Sequence, residues 1–160
     1  MKILIGTDGS DFSRAAAEEC CKFIADPSNV EIKILSAFED TYAIAAEPFA
    51  ISSEYYQELA NAVEKQAQNF VADTAKIIRE KLKSDSLRIS AEVVRGAPDR
   101  ELVEIAESWG ADLIVVGSHG RGFWGRLLGS VSDGVVHHAP CSVLVVRGEK
   151  MPARPVAPTG

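Results

Sequence analysis

Two stretches of the chain carry residues whose types and spacing suit one kind of chemistry, the holding of a phosphate-bearing anion. The first is "TDGS", Thr7 to Ser10, directly after the apolar run "KILIG". The second is "GSHGRGFWGRLLGS", residues 117 to 130, which follows "ADLIVV" and holds five of the chain's twelve glycines. A backbone so poor in side chains either admits a ligand closely or is a flexible surface loop, and its surroundings decide between the two. Here it leads into Ser130-Val131-Ser132-Asp133, which has the form of a capping box, so a helix should begin at Ser130. The unpaired N–H groups and positive dipole end of such a helix favour an anion. Gly117 and Gly120 would let the ligand reach the backbone, and Gly129 would leave Ser130 free to cap the helix or to donate to a phosphate oxygen. Arg121 and Arg126 flank this stretch and could pair with phosphates. His119 reads equally as a phosphate contact or as a solvated loop histidine.

The spacing is neither the dinucleotide fingerprint G-x-G-x-x-G after a first strand nor a P-loop, which requires G-K-[ST]. No Ser-His-Asp order and no paired carboxylates accompany the glycines, and Asp8 alone is not a mechanism, so chemistry beyond slow hydrolysis has no evident agent. No catalytic residue is assigned. Cys20, Cys21 and Cys141 lack the paired spacing of a zinc site, and the first two fall inside a helical pattern, where core packing is expected. His137 and His138 come at a helix C-terminus, where the dipole favours them. The expectation is no bound metal and no disulfide.

The elements that must position these residues alternate along the chain. Strands are expected at 2–8, 30–38, 87–96, 111–117 and 141–147, each a short apolar or alternating run bounded by turn formers. A first helix should start at a Ser10 or Asp11 cap and stop at Asp26-Pro27, with Phe12, Ala16, Cys20, Phe23 and Ile24 at helical spacing. A long one should run from about Glu54 to Leu82 with Tyr56, Leu59, Val63, Ala67, Phe70, Thr74 and Ile77 as its apolar stripe. A third is bracketed by Pro98 and Gly110, and a fourth runs from Ser130 to His138 before Pro140, with Gly134 marking close packing inside it. Residues 39–52 show no period and read as a loop or lid. The proline-rich stretch from 148 to 160 reads as a disordered tail. Alternating strands and helices imply one α/β domain, an open parallel sheet with helices on both faces and right-handed crossovers. In such a sheet the ligand crevice lies beyond the carboxyl ends of the strands where the strand order reverses. Thr7-Asp8 and Val116-Gly117 close the first and fourth strands there.

Composition bounds the reading. The 160 residues suffice for one domain that buries roughly 70% of its unfolded surface without a metal or disulfide staple. No apolar run approaches the roughly twenty residues of a membrane span, and "MKILIGTDGS" lacks the long apolar region of a signal peptide, so a cytoplasmic location is expected. The net charge of −6, with no run of Lys and Arg, argues against broad nucleic-acid binding. From the residues alone the reading is a phosphate or nucleotide site.

Three separated segments, "ILIGTDGS", "GAPDRELVEIAESWGADLIVVGS" and "GSHGRGFWGRLLGSVSDGVVHHAPCSVLVVR", resemble the universal stress protein family in order and in placement, and the resemblance spans residues 2–147. It implies a Rossmann-like five-stranded parallel sheet of order 3-2-1-4-5, a universal stress protein domain over 1–147, and a homodimer. Members with a G-x-x-G, a spacer and G-[ST] resemble ATP binders, so the resemblance implies ATP as the ligand, with AMP or ADP as alternatives and Mg accompanying ATP. It places Thr7 and Asp8 at the end of the first strand, Ala37 beside the adenine, Val116 and Gly117 along the nucleoside, and Gly120, Gly129, Ser130 and Val131 around the phosphates, with His119 and Arg121 in the same loop. Two positions depart from the family's pattern: eight residues separate Gly120 from Gly129 where nine are usual, and Ala37 stands where valine is usual. The function implied is a cytoplasmic nucleotide-binding regulator or sensor in stress responses, acting with a regulatory protein partner still to be identified. Its dimer is expected to form through Ser142 to Arg147, an apolar last strand at the sheet edge. The rival readings are an ATPase or phosphotransferase of related fold and a nucleotide-free dimeric interaction protein.

Overall fold

The computed structural model describes residues 1–39, 53–120 and 128–148. The expected strands form as β1 (Lys2–Gly6), β2 (Glu31–Phe38), β3 (Arg88–Arg95), β4 (Leu113–Gly117) and β5 (Ser142–Val146), and between them lie α1 (Asp11–Lys22), α2 (Ser53–Leu82), α3 (Pro98–Trp109) and α4 (Ser130–His138). Each crossover helix returns the chain to the same end of the sheet, so every described strand pair is parallel, in the order β3-β2-β1-β4-β5. β1 is the central strand, in register through Ile5 with Ile34 on one side and Val115 on the other. The near-continuous apolar run read from the sequence is what a strand buried on both faces requires.

Alternate side chains of these strands build two cores. Ile3, Ile5, Ile32, Ile34 and Val115 pack with Ala16, Ala17 and Cys20 of α1 and Val71 and Ile78 of α2. Leu4, Leu35, Ile114 and Val116 pack on the other face with Leu102 and Ala106 of α3 and Val135 of α4. A fully buried aliphatic side chain contributes about 1.5–3 kcal/mol, so these two layers, rather than helix propensity, hold the sheet and the helices together. Cys20 and Cys21 are core residues, as their spacing implied. Burial, followed by the neighbouring Cys21, pushes the Cys20 thiol up to about 12.

Several details differ from the sequence reading. α1 ends at Lys22, and Phe23, its C-cap, is 67% exposed rather than part of the apolar face. A 3-10 turn at Pro27–Asn29, capped by Asp26, fills the gap before β2. On α2 the buried face is Ala67, Val71, Thr74, Ala75 and Ile78, while Tyr56, Leu59, Val63, Phe70 and Ile77 are half-buried. The expected stripe stepped mainly by four and three from Tyr56, and over thirty residues that path drifts to the edge of the face. α3 stops at Gly110, whose φ of +69° is the left-handed C-cap a glycine supplies. The capping box does not form: Ser130 is the first residue of α4, its N-cap is Gly129, and no side chain caps the helix. The packing implied at Gly134 has a partner, since a Cβ there would meet the Asp99 carboxylate of α3 at 2.6 Å. The expected loop at 39–52 and tail at 148–160 lie, apart from Glu39 and Gly148, outside the described residues.

Candidate functional site

The strand order reverses between β1 and β4, because the chain leaves β1 toward β2 and β3 and later returns to the far side of β1. A cleft of about 560 Å³ opens beyond their carboxyl ends, within the range of about 300–1,000 Å³ typical of small-molecule sites. Of the residues expected at the site, Thr7, Asp8, Ala37, Val116, Gly117, His119, Gly120, Gly129, Ser130 and Val131 all line it. Arg121, like Arg126, lies outside the described residues. Leu35, Pro98 and Leu102 also line it and had no motif to announce them. Their signal was topological: Pro98 and Leu102 open the helix that follows the carboxyl end of β3, on the same rim of the sheet.

The two sides of the cleft differ in chemistry. Leu35, Ala37, Pro98, Leu102 and Val116 make an apolar slot between β2, β4 and α3, of the kind that receives a flat ring. The same cleft is also lined by Asp8, Gly117 and Gly120, and by the start of α4 at Gly129 to Val131. That part offers hydrogen-bond donors and close backbone approach.

Hydrogen bonds fix both ends of the glycine-rich stretch. The Ser118 N–H donates to the Val146 carbonyl at 2.8 Å. The Ser118 carbonyl accepts from the Gly129 N–H at 2.8 Å and from the buried Ser132 hydroxyl at 3.0 Å. Ser132 therefore closes the loop onto the end of β4, and Ser130 is left exposed at the rim of the cleft.

The other wall is a tight turn at the end of β1. Ser10 caps α1 by accepting from the Ser13 N–H at 3.2 Å. The Ser10 N–H and hydroxyl donate to Asp8 Oδ1 at 3.0 and 2.6 Å. Gly9 sits at φ +71°, a conformation glycine adopts without strain. Asp8 Oδ2 faces Gly120, where an added Cβ would come within 2.9 Å of it. Thr7 lines the cleft but is buried, with its hydroxyl 3.3 Å from Ser13 Oγ and 3.0 Å from Thr74 Oγ1.

The glycines divide by neighbour. A Cβ on Gly117 would lie 2.7 Å from the Phe12 carbonyl carbon, so this position is small because the backbone of α1 crosses it. A Cβ on Gly129 would press on His119 Cα at 3.2 Å, where the two ends of the loop meet. A Cβ on Gly120 would meet the Asp8 side chain and no other group among the described residues. Of the three, only Gly120 is held small by the cleft itself. His119 Nδ1 lies 3.0 Å from Ser118 Oγ, and its ring tilts against Phe12 with centroids 5.4 Å apart. Among the described residues no group of His, Cys, Asp and Glu is placed to hold a metal ion, and no helix is long and apolar enough to cross a membrane.

Comparison with known proteins decides the family. Residues 1–147 match the sequence profile of the universal stress protein family. The chain belongs to this family. It is 34% identical over 151 residues to the universal stress protein MJ0531 of Methanocaldococcus jannaschii, covering 93% of this chain and 83% of the relative. The solved structure of MJ0577, a universal stress protein of the same organism, superposes with a TM-score of 0.74 at 28% identity over 94% of this chain and 97% of its own. A universal stress protein solved in complex with cAMP superposes with a TM-score of 0.62 at 29% identity, covering 93% and 98% of the two chains. The order β3-β2-β1-β4-β5 with helices on both faces is the fold of this family, as the resemblance implied.

Proposed function

We propose that the cleft binds a nucleotide, ATP with AMP or ADP as the alternatives, and that the chain works as a cytoplasmic stress-response regulator or sensor, as a homodimer, with a protein partner still to be identified. The observation that carries this reading is the pairing, in one cleft at the strand-order reversal, of an apolar slot with a glycine-backed helix start. Leu35, Ala37, Pro98, Leu102 and Val116 would take the base, Asp8 the ribose, and Gly120, Gly129, Ser130 and Val131 the phosphates. The cAMP complex of a family member is consistent with a nucleotide as the class of ligand. Backbone N–H groups at the start of α4 suit phosphate oxygens by charge and by direction. Mg would arrive with the ATP phosphates, for the protein brings no described cluster to hold it.

ATP would supply its own charge and shape as the signal. The residues described around it bind and orient, and the two hydroxyls paired with a base beside it, Ser10 with Asp8 and Ser118 with His119, are buried and do not line the cleft. Native mass spectrometry of the purified protein, followed by calorimetric titration with ATP, AMP and ADP, tests the reading. Retained or titratable nucleotide at one per chain is expected. Turnover of ATP with Mg would favour an ATPase or phosphotransferase, and a protein that takes up none of the three would favour the interaction protein.

A further inference from the structure

Behind the turn that presents Asp8 lies a chain of buried hydroxyls that the proposed binding role does not use. Thr7, Ser10, Ser13 and Thr74 are each at most 9% exposed, and Thr74 comes from α2, 67 residues along the chain from Thr7. Each hydroxyl has one proton to give, which limits the directions the chain can take. The charged Asp8 carboxylate at 2.6 Å is the strongest acceptor near Ser10 Oγ and takes its proton. Ser13 Oγ gives its own to the Ser10 carbonyl at 2.9 Å and is left to accept from Thr7 Oγ1 at 3.3 Å. With its proton committed, Thr7 Oγ1 can only accept, from the Gly9 N–H at 3.4 Å and from Thr74 Oγ1 at 3.0 Å. Thr74 has one proton for two acceptors and shares it between Thr7 Oγ1 and the Phe70 carbonyl at 2.8 Å. One turn before Thr74 on the same helix, the Phe70 ring fills the space that a side chain on Gly9 would need.

We infer that α2 sets the geometry of the cleft from behind, with Thr74 and Phe70 as positioning residues for the Asp8–Ser10 turn. This rests on the reading of the cleft as a nucleotide site. Thr74 holds Thr7, and through it the Gly9 amide, while the Phe70 ring holds the Gly9 backbone. Together they fix the direction in which β1 delivers Asp8 to the cleft. Neither residue is among those that line the cleft, so their effect on a ligand passes through Thr7, which does line it, and through the turn. Coupling of this kind is reciprocal: a ligand that pins Asp8 also steadies the middle of α2.

The test uses the whole chain and two readouts. Thr74→Val keeps the shape and removes the hydroxyl, and Thr74→Ser keeps the hydroxyl. Amide hydrogen exchange is followed at Gly9 and Ser10, with Ile5 and Ile34 as reporters of the core, and ATP binding is followed by calorimetry. Loss of one net hydrogen bond corresponds to a change of about five- to ten-fold. Thr74→Val is expected to speed exchange at Gly9 and Ser10 by that factor relative to Ile5 and Ile34 and to weaken ATP binding similarly, with Thr74→Ser close to wild type in both. If Thr74→Val does not fold, Phe70→Leu, which loosens the cover over Gly9, must show the same selective rise. Exchange that is unchanged, or that rises equally at Ile5 and Ile34, overturns the inference. A wild-type protein that binds no ATP overturns the nucleotide reading instead, and the exchange measurement still decides the role of α2.

Discussion

Gly117 and Gly120 lie three residues apart in one motif, and the structure gives them opposite reasons for being small. Replacing Gly117 by alanine puts a Cβ at 2.7, 2.8 and 2.9 Å from the carbonyl carbon, Cβ and carbonyl oxygen of Phe12, where ordinary contact begins at 3.4 Å. Most of those atoms are backbone of the first turn of α1, so relief requires the helix to retreat, and with it the Ser10 cap and Ala16 and Ala17 in the core. Overpacking of this kind costs about 1–3 kcal/mol. At about 2–4 °C per kcal/mol for a chain of this size, Gly117→Ala should lower Tm by about 2–12 °C. Gly120→Ala meets only Asp8, with Oδ2 at 2.9 Å and Cγ at 3.9 Å. A carboxylate can swing aside, so stability should stay within about 0.5 kcal/mol of wild type. The swing, however, moves the acid that faces the cleft, and ATP affinity should fall about ten-fold. Thermal unfolding and calorimetry on the same two variants provide the assay. If Gly117→Ala melts with the wild type, or if Gly120→Ala binds ATP like the wild type, the division between fold glycine and site glycine is wrong.

Three further perturbations separate roles that the sequence runs together. Ser130→Ala should leave the melting temperature unchanged, because Ser130 caps nothing, and should weaken nucleotide binding, whereas Ser132→Ala should cost about 1 kcal/mol of stability through the lost bond to the Ser118 carbonyl; chemical denaturation reads both. Val145→Lys on the edge strand β5 should convert a dimer into a folded monomer by light scattering and circular dichroism, and a wild-type chain that is already monomeric at micromolar concentration ends the dimer proposal. Cys20 carries a pH dependence with a definite sign. Below its ordinary value of 9.0 the thiol is protonated in both states; above it the unfolded chain releases a proton that the native chain keeps until about 12, so stability is whole below 9.0 and falls as pH rises through that window. Cys20→Ala should flatten the fall in denaturation midpoints between pH 9 and 11, and an unchanged slope would assign it to other groups.

The existence and type of the elements were legible because each strand is a short apolar run between turn formers, while the sheet order came from the family resemblance that three motifs carry. The position of the cleft followed from topology, and ten of the expected site residues line it. What the sequence did not show was anything set by a distant neighbour. Ser130 and Asp133 have the residue types of a capping box, yet the Gly129 N–H is bonded to the Ser118 carbonyl, eleven residues back, and the helix takes Gly129 as its N-cap with Ser130 inside its first turn. The stripe on α2 was read as one path from Tyr56 to Ile77, but the buried residues of the helix lie from Ala67 onward and shift to Val71, Ala75 and Ile78. Pro98 and Leu102 carry no chemistry of their own and become part of the site only because α3 starts at the same rim as α4.

The glycine-rich stretch shows why such a motif reads as a ligand signature even where part of it serves the fold. Gly117 must be small so that α1 can cross β4, and this crossing brings the Ser10 cap, and so Asp8, to the edge of the cleft. Gly129 must be small so that the end of the loop can close on Ser118, and this closure points the first turn of α4 into the same space. Of these three glycines, Gly120 alone has the Asp8 side chain as the neighbour of an added Cβ. The first two glycines build a cleft that the third keeps open. A substitution at either end of the motif would therefore reach a ligand through the displacement of α1 or α4, with a loss of stability alongside, while one at Gly120 would reach it directly. The ratio of lost stability to lost affinity, measured position by position, identifies which residues of the motif face the ligand.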